Sequence, residues 1–375
     1  MTLALREVER APDVRLFRDL PSRLYATDPA FVPMLRPAFH AVMDRRRNPF
    51  WRHADGQEWL AFRDGKPVGR VGACVDRDLL ARAPGCGVLG FFDCADDPEG
   101  ARALLGAAEA WLSRRGCSRA RGPLNYSIHD TAGLLVEGFK TPPVVDTTWN
   151  PPHVPRLLEE GGYRGTQDLL GLSGALEIMG PERARRFADR AKRQGAAVRP
   201  LDLKRFDEEV EAVRAIYNAA WDDNWGHVPI GREEFLFKAK DLKAVLDPDL
   251  VRVAEFGGKP VGFLLALPDL NVAAKASRGR LLPWGWLRLL RARTCGRCRV
   301  AALGVLPGYR VRGIEALLLS DSFAAIGGRY AWCESSWVLA TNLALLNGLE
   351  LYNLRPYKRW RLYEKDLRPR DAAVG

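Results

Sequence analysis

The spacing of apolar residues along the chain predicts alternating strands and helices. In the first half, apolar-rich segments 59–62 and 68–75 flank a Gly-containing turn, which is the pattern of a β-hairpin. Segment 88–92 predicts a further strand. Apolar residues between 104 and 112 share one face of a helix that Asp97 is expected to cap. These segments predict strands and helices around one core.

The second half repeats this order. Gly-Lys-Pro-Val-Gly occupies positions 65–69 and again 258–262, each time between two apolar-rich runs. Further strands are predicted at 299–306, 331–335 and 358–363, and helices at 313–326 and 342–352. A repeat of this kind indicates a duplicated unit. We therefore predict two α/β lobes, residues 1–170 and 171–375, with a charged helix that starts near 181 bridging them.

Composition narrows the class of protein. The 375 residues are 47% hydrophobic and 27% charged, which is typical of a globular protein with two cores. No apolar run approaches the roughly 18 residues of a membrane helix, and charges among the first ten residues argue against a signal peptide. Seven cysteines, an odd number, indicate reduced thiols and a cytoplasmic location. Cys295 and Cys298 form a lone CxxC, so we predict loop cysteines and no metal site.

The net charge of +11 is concentrated in an insertion at 270–299. Cationic residues between Lys275 and Arg299 surround a run containing Trp284 and Trp286, with no acidic residue in that stretch. Cations beside exposed Trp and Leu are typical of a segment on an anionic bilayer. The alternatives are a hairpin whose Trp and Leu pack on the domain, and a nucleic-acid contact, although no nucleic-acid-binding motif is present. Contact with the inner membrane surface would make the protein peripheral.

A loop between a predicted strand and helix carries the clearest chemistry. A helix N-terminus presents unbonded N–H groups and partial positive charge, which suit phosphate. Gly313 would let the backbone approach a ligand, and Arg310 and Arg312 add positive charge. The alternative is an ordinary helix start.

This loop resembles the pyrophosphate loop of the GNAT superfamily of acyl-CoA N-acyltransferases, whose pattern is Gln/Arg-x-x-Gly-x-Gly/Ala. The resemblance covers residues 205–365 well and the first half weakly. It implies two GNAT-like lobes in tandem, an α/β (α+β) fold in which each lobe has a mixed, mostly antiparallel sheet flanked by helices. One residue departs from the pattern, because Glu315 replaces the last small residue. Its carboxylate either points to solvent or weakens cofactor binding.

The resemblance also implies roles for individual residues. The residues expected to bind CoA are Val305, Leu306, Arg310, Val311, Arg312, Gly313, Ile314 and Asn342. The N–H groups near Val305 and Leu306 would hold the oxyanion. Glu334 would take the amine's proton, and Tyr352 or Tyr357 would protonate the leaving thiolate. The alternatives are a structural carboxylate for Glu334 and a helix cap for Asn342.

The equivalent loop of the first lobe, residues 93–99, is acidic. Asp93, Asp96, Asp97 and Glu99 stand where pyrophosphate would lie, and their charges are expected to repel it. This lobe is therefore predicted to be degenerate, with a role in acceptor binding or structural support.

Three further residues are candidates for the reaction or the acceptor. His129, beside Asp130, is a candidate base, although a turn stabilised by polar side chains explains the same run. Asn125, in that run, and Trp225, in the segment after residue 221, are candidate substrate residues. Trp225 is equally compatible with a core position.

The resemblance implies an acyl-CoA-dependent N-acyltransferase with no permanently bound cofactor and acyl-CoA as co-substrate. The whole chain resembles a bacterial two-lobe family, and within it bacterial ceramide synthases, which acylate the amine of a sphingoid base. The favoured acceptor is therefore a long-chain amine, and no nucleic acid is expected as a partner. The alternatives are an N-acetyltransferase of a small soluble amine and a non-catalytic acyl-CoA-binding protein.

Overall fold

The computed structural model describes residues 2–176, 182–243, 246–280, 285–287, 295–326 and 328–367. They divide into two compact units, one of residues 1–169 with 358–375 and one of residues 170–357. Sequence reasoning assigned everything after residue 170 to the second lobe. The C-terminal segment belongs instead with the first unit. Trp360 and Tyr363 are fully buried there, and Trp360 Nε1 donates to the Thr148 carbonyl at 2.9 Å.

The first unit contains a mixed sheet with helices. Its strands are β1 (Leu3–Glu7), β2 (Ala54–Arg63), β3 (Lys66–Asp76), β4 (Cys86–Cys94), β5 (Arg119–Gly122) and β6 (Leu134–Glu137), with the start of β7 (Arg164–Ala175). Its helices are α1 (Ala11–Leu24), α2 (Arg36–Met43), α3 (Arg77–Arg82), α4 (Pro98–Arg114) and α5 (His153–Glu160). The strand at the C-terminal end of the chain, Arg355–Asp366, pairs antiparallel with β5 and β6. Neighbours β1 to β4 pair antiparallel, whereas β4 and β5 are parallel.

The second unit repeats this plan. Its strands are β8 (Ala196–Pro200), β9 (Val251–Phe256), β10 (Lys259–Pro268), β11 (Arg297–Val305) and β12 (Trp332–Leu339), and the C-terminal strand Arg355–Asp366 is β13. Its helices are α6 (Glu182–Arg193), α7 (Phe206–Trp221), α8 (Arg232–Lys243), α9 (Asn271–Ser277), α10 (Ile314–Ala325) and α11 (Leu343–Glu350). Strands β8 to β11 pair antiparallel with their neighbours, and β11 and β12 are parallel. Short 3-10 turns in the chain lie at Pro49–Arg52, Leu203–Arg205, Pro248–Leu250 and Pro307–Tyr309.

The repeated pentapeptide has a structural cause. Each copy begins at the second residue of a two-residue hairpin turn, and both turn residues have positive φ: Asp64 and Gly65 in one unit, Gly257 and Gly258 in the other. Such turns match the twist of the strands that they join. The final glycine of each copy lies under a helix. A Cβ on Gly69 would lie 2.6 Å from Leu104 Cδ1 of α4.

Helix α6 is a component of the second unit and not the bridge that the sequence suggested. Its alanines Ala184, Ala188 and Ala191 are buried in the core cluster that also contains Ile314 and Leu318 of α10. Small side chains let the two helices approach closely. The opposite faces of α6 are exposed and rich in arginine.

The basic insertion is described only in part. Helix α9 and residues 285–287 are described, and Trp286 is 46% exposed. Trp284 and several of the arginines on which the membrane prediction depends lie outside the described residues. Among the helices of the described residues, none is long and apolar enough to cross a membrane.

Candidate functional site

In the second unit the two parallel strands β11 and β12 separate along their length. Their pairing joins Arg297–Val300 to Trp332–Ser335. Beyond it β11 continues to Val305, paired with β10, while β12 continues to Leu339. Among the described residues no further ladder joins the two strands. The end of β11 therefore has one edge available to an extended ligand, next to the loop that leads into α10.

That loop places a helix N-terminus at the end of β11. A 3-10 turn, Pro307–Tyr309, follows the strand, and α10 begins at Ile314 after Gly313, whose φ is +84°. Val311, a β-branched residue, has φ of +63° and is 91% exposed. Backbone strain at an exposed residue of this kind is concentrated at ligand-binding positions in proteins. The first amides of α10 have no acceptor within the helix.

Gly313 has a structural role that the sequence did not reveal. A Cβ at this position would lie 2.3 Å from the carbonyl oxygen of Phe187 and 3.0 Å from its carbonyl carbon. Helix α6 thus excludes any side chain there, independently of a ligand. The positive φ is a second reason for glycine.

The two arginines of the loop make different contacts. Arg310 donates to the carbonyl of Ala220 at 2.6 Å and to that of Val305 at 3.4 Å, so it joins the loop to the end of α7. Arg312 lies over the rings of Phe256 and Tyr309, at 5.6 and 5.5 Å from their centroids. Arg312 is exposed and is the better placed of the two to meet an anion.

Glu315 lies in the first turn of α10 and is half-buried. Burial raises the pKa of its carboxyl, and the positive charge of Arg310 opposes that rise. A carboxylate at this position competes with phosphate for the helix N-terminus. The expectation that it points to solvent is therefore met only in part.

Glu334 is fully buried and hydrogen-bonded on both oxygens. Ser336 Oγ donates to Oε1 at 2.5 Å, and the Tyr357 hydroxyl donates to Oε2. Arg299 Nη2 binds the Ser336 carbonyl at 2.8 Å and completes the network. Burial, and then the neighbouring carboxylate, raise the pKa of the Tyr357 hydroxyl. A proton can reach Glu334 through Tyr357, whereas direct contact with a substrate would require one of these bonds to open.

The remaining predicted residues of this unit are structural in the described geometry. Asn342 caps α11 by accepting from the Leu345 amide at 3.2 Å, the alternative that the sequence left open. The Tyr352 hydroxyl donates to the Ala316 carbonyl of α10 at 3.0 Å, and burial raises its pKa. Ile314 and Val305 are buried core residues. Leu306 donates its N–H to the Val261 carbonyl at 2.9 Å, which removes it as an oxyanion donor in this geometry.

Sequence reasoning missed an aromatic pair on α7. Tyr217 and Trp221 stack with ring centroids 4.6 Å apart. Trp221 covers β11 so closely that a Cβ on Gly304 would lie 2.5 Å from its ring. Their spacing of four residues on a predicted helix was the available signal. The predicted Trp225 is half-buried in the following loop.

In the first unit the position equivalent to the phosphate loop is occupied by the chain's own carboxylate. Asp97 caps α4 by accepting from the Gly100 amide at 2.9 Å, and Arg63 holds it at 2.7 Å and lowers its pKa. Arg63 also binds Glu99 at 2.7 Å.

The other acidic residues of this loop are likewise paired, Asp93 with Arg70 at 2.7 Å and Asp96 with Arg156. These ion pairs offset part of the negative charge that the sequence analysis expected to repel pyrophosphate. The N-terminus of α4 is already filled.

The polar run of the first unit forms a turn. Asn125 accepts from the Phe91 amide at 2.7 Å and donates to Thr131 Oγ1 at 2.7 Å. The His129 amide donates to Ser127 Oγ at 3.2 Å, and His129 is half-buried. This favours the structural interpretation of Asn125. The structure places His129 in the first unit and Glu334 in the second.

Comparison with known proteins identifies relatives along the whole chain. The chain is 35% identical over 382 residues to the bacterial ceramide synthase of Caulobacter vibrioides (strain NA1000 / CB15N), covering 97% of this chain and 98% of that protein. It is 35% identical over 367 residues to protein YghO of Escherichia coli (strain K12), covering 95% and 93%. No model of a known protein family matches the sequence.

Solved structures share the fold. A tandem GNAT protein from the clavulanic acid biosynthesis pathway superposes with a TM-score of 0.60 at 12% identity, over 99% of this chain and all (100%) of that one. A GCN5-related N-acetyltransferase from Sphaerobacter thermophilus gives 0.53 at 16% identity, over 98% and 96%. The predicted fold of GNAT-like lobes in tandem is thereby confirmed. The chain belongs to the family of the Caulobacter ceramide synthase and YghO, and it has the fold of tandem GNAT proteins.

Proposed function

We propose that the protein transfers a long acyl chain from an acyl-CoA thioester to the primary amine of a sphingoid-base-like lipid, forming a ceramide-type amide. Acyl-CoA is a co-substrate in this proposal, and no permanently bound cofactor is required. The proposal rests chiefly on one contrast between the units. The first amides of α10 follow a strained, exposed loop, whereas those of α4 are capped by Asp97.

The long-chain acceptor is supported by the aromatic surface beside β11. Tyr217, Trp221 and Phe263 form a contiguous set, with the Trp221 and Phe263 centroids 6.0 Å apart. The half-buried rings of Tyr217 and Trp221 offer an apolar surface that suits an aliphatic chain better than a small polar amine. The Caulobacter relative carries the name ceramide synthase, which supports the same acceptor class.

The chemistry needs one proton removed and one returned. The amine nitrogen attacks the thioester carbonyl, a C–N bond forms, the C–S bond breaks, and the thiolate leaves with a proton. In the proposed relay, the Tyr357 hydroxyl accepts the amine's proton while it passes its own proton to Glu334 Oε2, and the reverse transfer returns a proton to the leaving thiolate. The Val305 N–H group at the end of β11 would stabilise the oxyanion.

A membrane surface is the proposed source of the acceptor. Trp286 is exposed, and cations lie on both sides of it in sequence. Such a segment gains roughly 1 kcal/mol per cation near an anionic leaflet. Binding to anionic vesicles that weakens with salt would support this, and equal sedimentation with neutral vesicles would refute it.

The decisive assay compares donors and acceptors in all pairs. The full chain is incubated with acetyl-CoA or a long-chain acyl-CoA, and with sphinganine or the polyamine putrescine, and the amides are measured by mass spectrometry. We expect amide formation to be fastest for the long-chain acyl-CoA with sphinganine. Faster acetylation of putrescine would replace the proposal by a small-amine N-acetyltransferase. Binding of CoA with no amide from any pair would indicate a non-catalytic acyl-CoA-binding protein.

A further inference from the structure

Helix α6 carries exposed cations near the loop between β11 and α10. The proposed reaction gives these cations no role. Arg185, Arg190, Lys192 and Arg193 are exposed, and none of them has an ion pair within the described part of the chain. Arg186, by contrast, is paired with Glu182 at 2.7 Å. Unpaired cations on one helix repel each other, so their accumulation needs an explanation.

Two contacts place the last turns of α6 alongside the loop. The carbonyl of Phe187 lies against Gly313, at the start of α10. Beyond the end of α6, Ala196 of β8 pairs in register with Phe256, the residue whose ring Arg312 covers. The segment from Phe187 to Ala196 therefore runs along the loop from Gly313 toward Arg312.

The flank of α6 that faces the loop carries Arg190 and Arg193. With about 100° per residue, Arg190 lies about 60° around the helix from Phe187, on the side away from the buried alanines. Arg193 lies about 120° from Phe187 in the same direction around the helix. Arg185 lies about 160° from Phe187, on the opposite flank. Phe187 is 37% exposed and Val311, in the loop, is 91% exposed, so both α6 and the loop offer an apolar side chain to a ligand.

We infer that Arg190 and Arg193 of α6, together with Arg312, form a subsite for the 3′-phosphate of the CoA nucleotide, with Phe187 and Val311 beneath the adenosine. The inference rests on the proposed binding of acyl-CoA by this loop. CoA carries a dianionic phosphate monoester in addition to its pyrophosphate. The helix N-terminus can neutralise only part of this charge, and Arg310 is bonded to carbonyl oxygens of Ala220 and Val305. Guanidinium groups are the side chains best matched to a phosphate.

The subsite gives the enzyme a means of selecting its donor. A thioester on CoA carries the 3′-phosphate, whereas one on dephospho-CoA or on bare pantetheine does not. The selection is electrostatic and lies at an exposed surface, so it weakens as salt screens the charges.

The test measures the dissociation constants of CoA and of dephospho-CoA by calorimetry at low salt. The proteins compared are the wild type, the double variant Arg190→Ala/Arg193→Ala, and Arg185→Ala as the matched control. We expect the wild type and the control to prefer CoA by about five- to twenty-fold, the range of one or two exposed charged hydrogen bonds. The double variant is expected to bind dephospho-CoA as the wild type does and to lose the preference.

Three outcomes would overturn the inference, and a fourth would overturn the proposed function. The subsite would be overturned if the wild type bound CoA and dephospho-CoA equally well, or if the double variant lost affinity for both to the same extent. Either result would leave the loop as the CoA site. If Arg185→Ala reduced the preference for CoA as much as the double variant does, the preference would be due to the overall charge of the helix, and the subsite would again be overturned. Failure of the wild type to bind either nucleotide would instead overturn the proposed binding of CoA. Circular dichroism of each variant checks that α6 is still folded.

Discussion

Replacing Gly313 with alanine tests whether this glycine serves the ligand, the fold or both. The added Cβ would lie 2.3 Å from the carbonyl oxygen of Phe187, far inside van der Waals contact, so α6 or α10 would have to shift. Residue 313 would also hold a φ of +84° that alanine rarely adopts.

Both costs can be estimated. A left-handed conformation costs an L-residue about 1–2 kcal/mol. Overpacking against backbone adds roughly 1–3 kcal/mol. For a unit of this size each kcal/mol lowers Tm by about 2–4 °C, so we expect a fall of roughly 5–15 °C. Because any side chain at position 313 disturbs this packing, loss of CoA binding in a Gly313 variant cannot by itself identify a CoA site.

The assay combines thermal unfolding with CoA binding, and Gly308→Ala is the matched control. Gly308 lies in the same loop, and a Cβ there would meet nothing within 4 Å. The control is expected to melt as the wild type does. A Gly313→Ala protein that melts like the control would refute the packing argument. If that protein also bound CoA with wild-type affinity, the proposal that this loop binds CoA would be refuted as well.

The remaining predictions concern carboxylates in the two units. Glu315→Ala is expected to tighten CoA binding by roughly ten-fold, since a charge near the phosphates is removed. Burial raises the pKa of Glu315, and the carboxyl becomes negatively charged as pH rises through that pKa, so the affinity of the wild type for CoA is expected to fall over this range. The affinity of the alanine variant, measured over the same range, should depend less on pH. Glu334→Gln is expected to reduce turnover by roughly 10²-fold with CoA affinity retained, and unchanged turnover would make Glu334 purely structural. Asp97→Ala is expected to destabilise the first unit by about 1 kcal/mol through loss of the cap. Arg63 lowers the pKa of Asp97, so the stabilisation by this carboxylate is complete above its unfolded-state pKa and is lost as pH falls through its folded-state pKa. The free energies of unfolding of the variant and the wild type, measured with denaturant, should therefore converge in acid.

Local features were predictable because their causes lie within a few residues. The hairpin at Asp64 and Gly65 follows from turn chemistry, and so does its copy at Gly258. The cap of α4 by Asp97 follows from the preference for acidic residues at a helix start. The tandem architecture was predictable for a related reason, since duplication leaves the same local pattern in both halves.

Partners far apart in sequence were not predictable. The sequence could not show that Phe187 lies against Gly313, or that Arg310 binds the carbonyl of Ala220. The pairing of Tyr357 with Glu334 also depends on which strands become neighbours. For this reason the sequence left two interpretations open for each of Glu334 and Asn342.

By itself the sequence determined the duplicated plan, the hairpins and the helix start that follows Arg312, because turn geometry and apolar periodicity act over a few residues. Tertiary structure alone decided that the C-terminal strand completes the first unit, where Trp360 is buried. It also decided that the N-terminus of α4 is filled by Asp97 with Arg63, whereas α6 lies beside the N-terminus of α10. These outcomes depend on packing and charge pairing between distant segments, which no short stretch of sequence encodes.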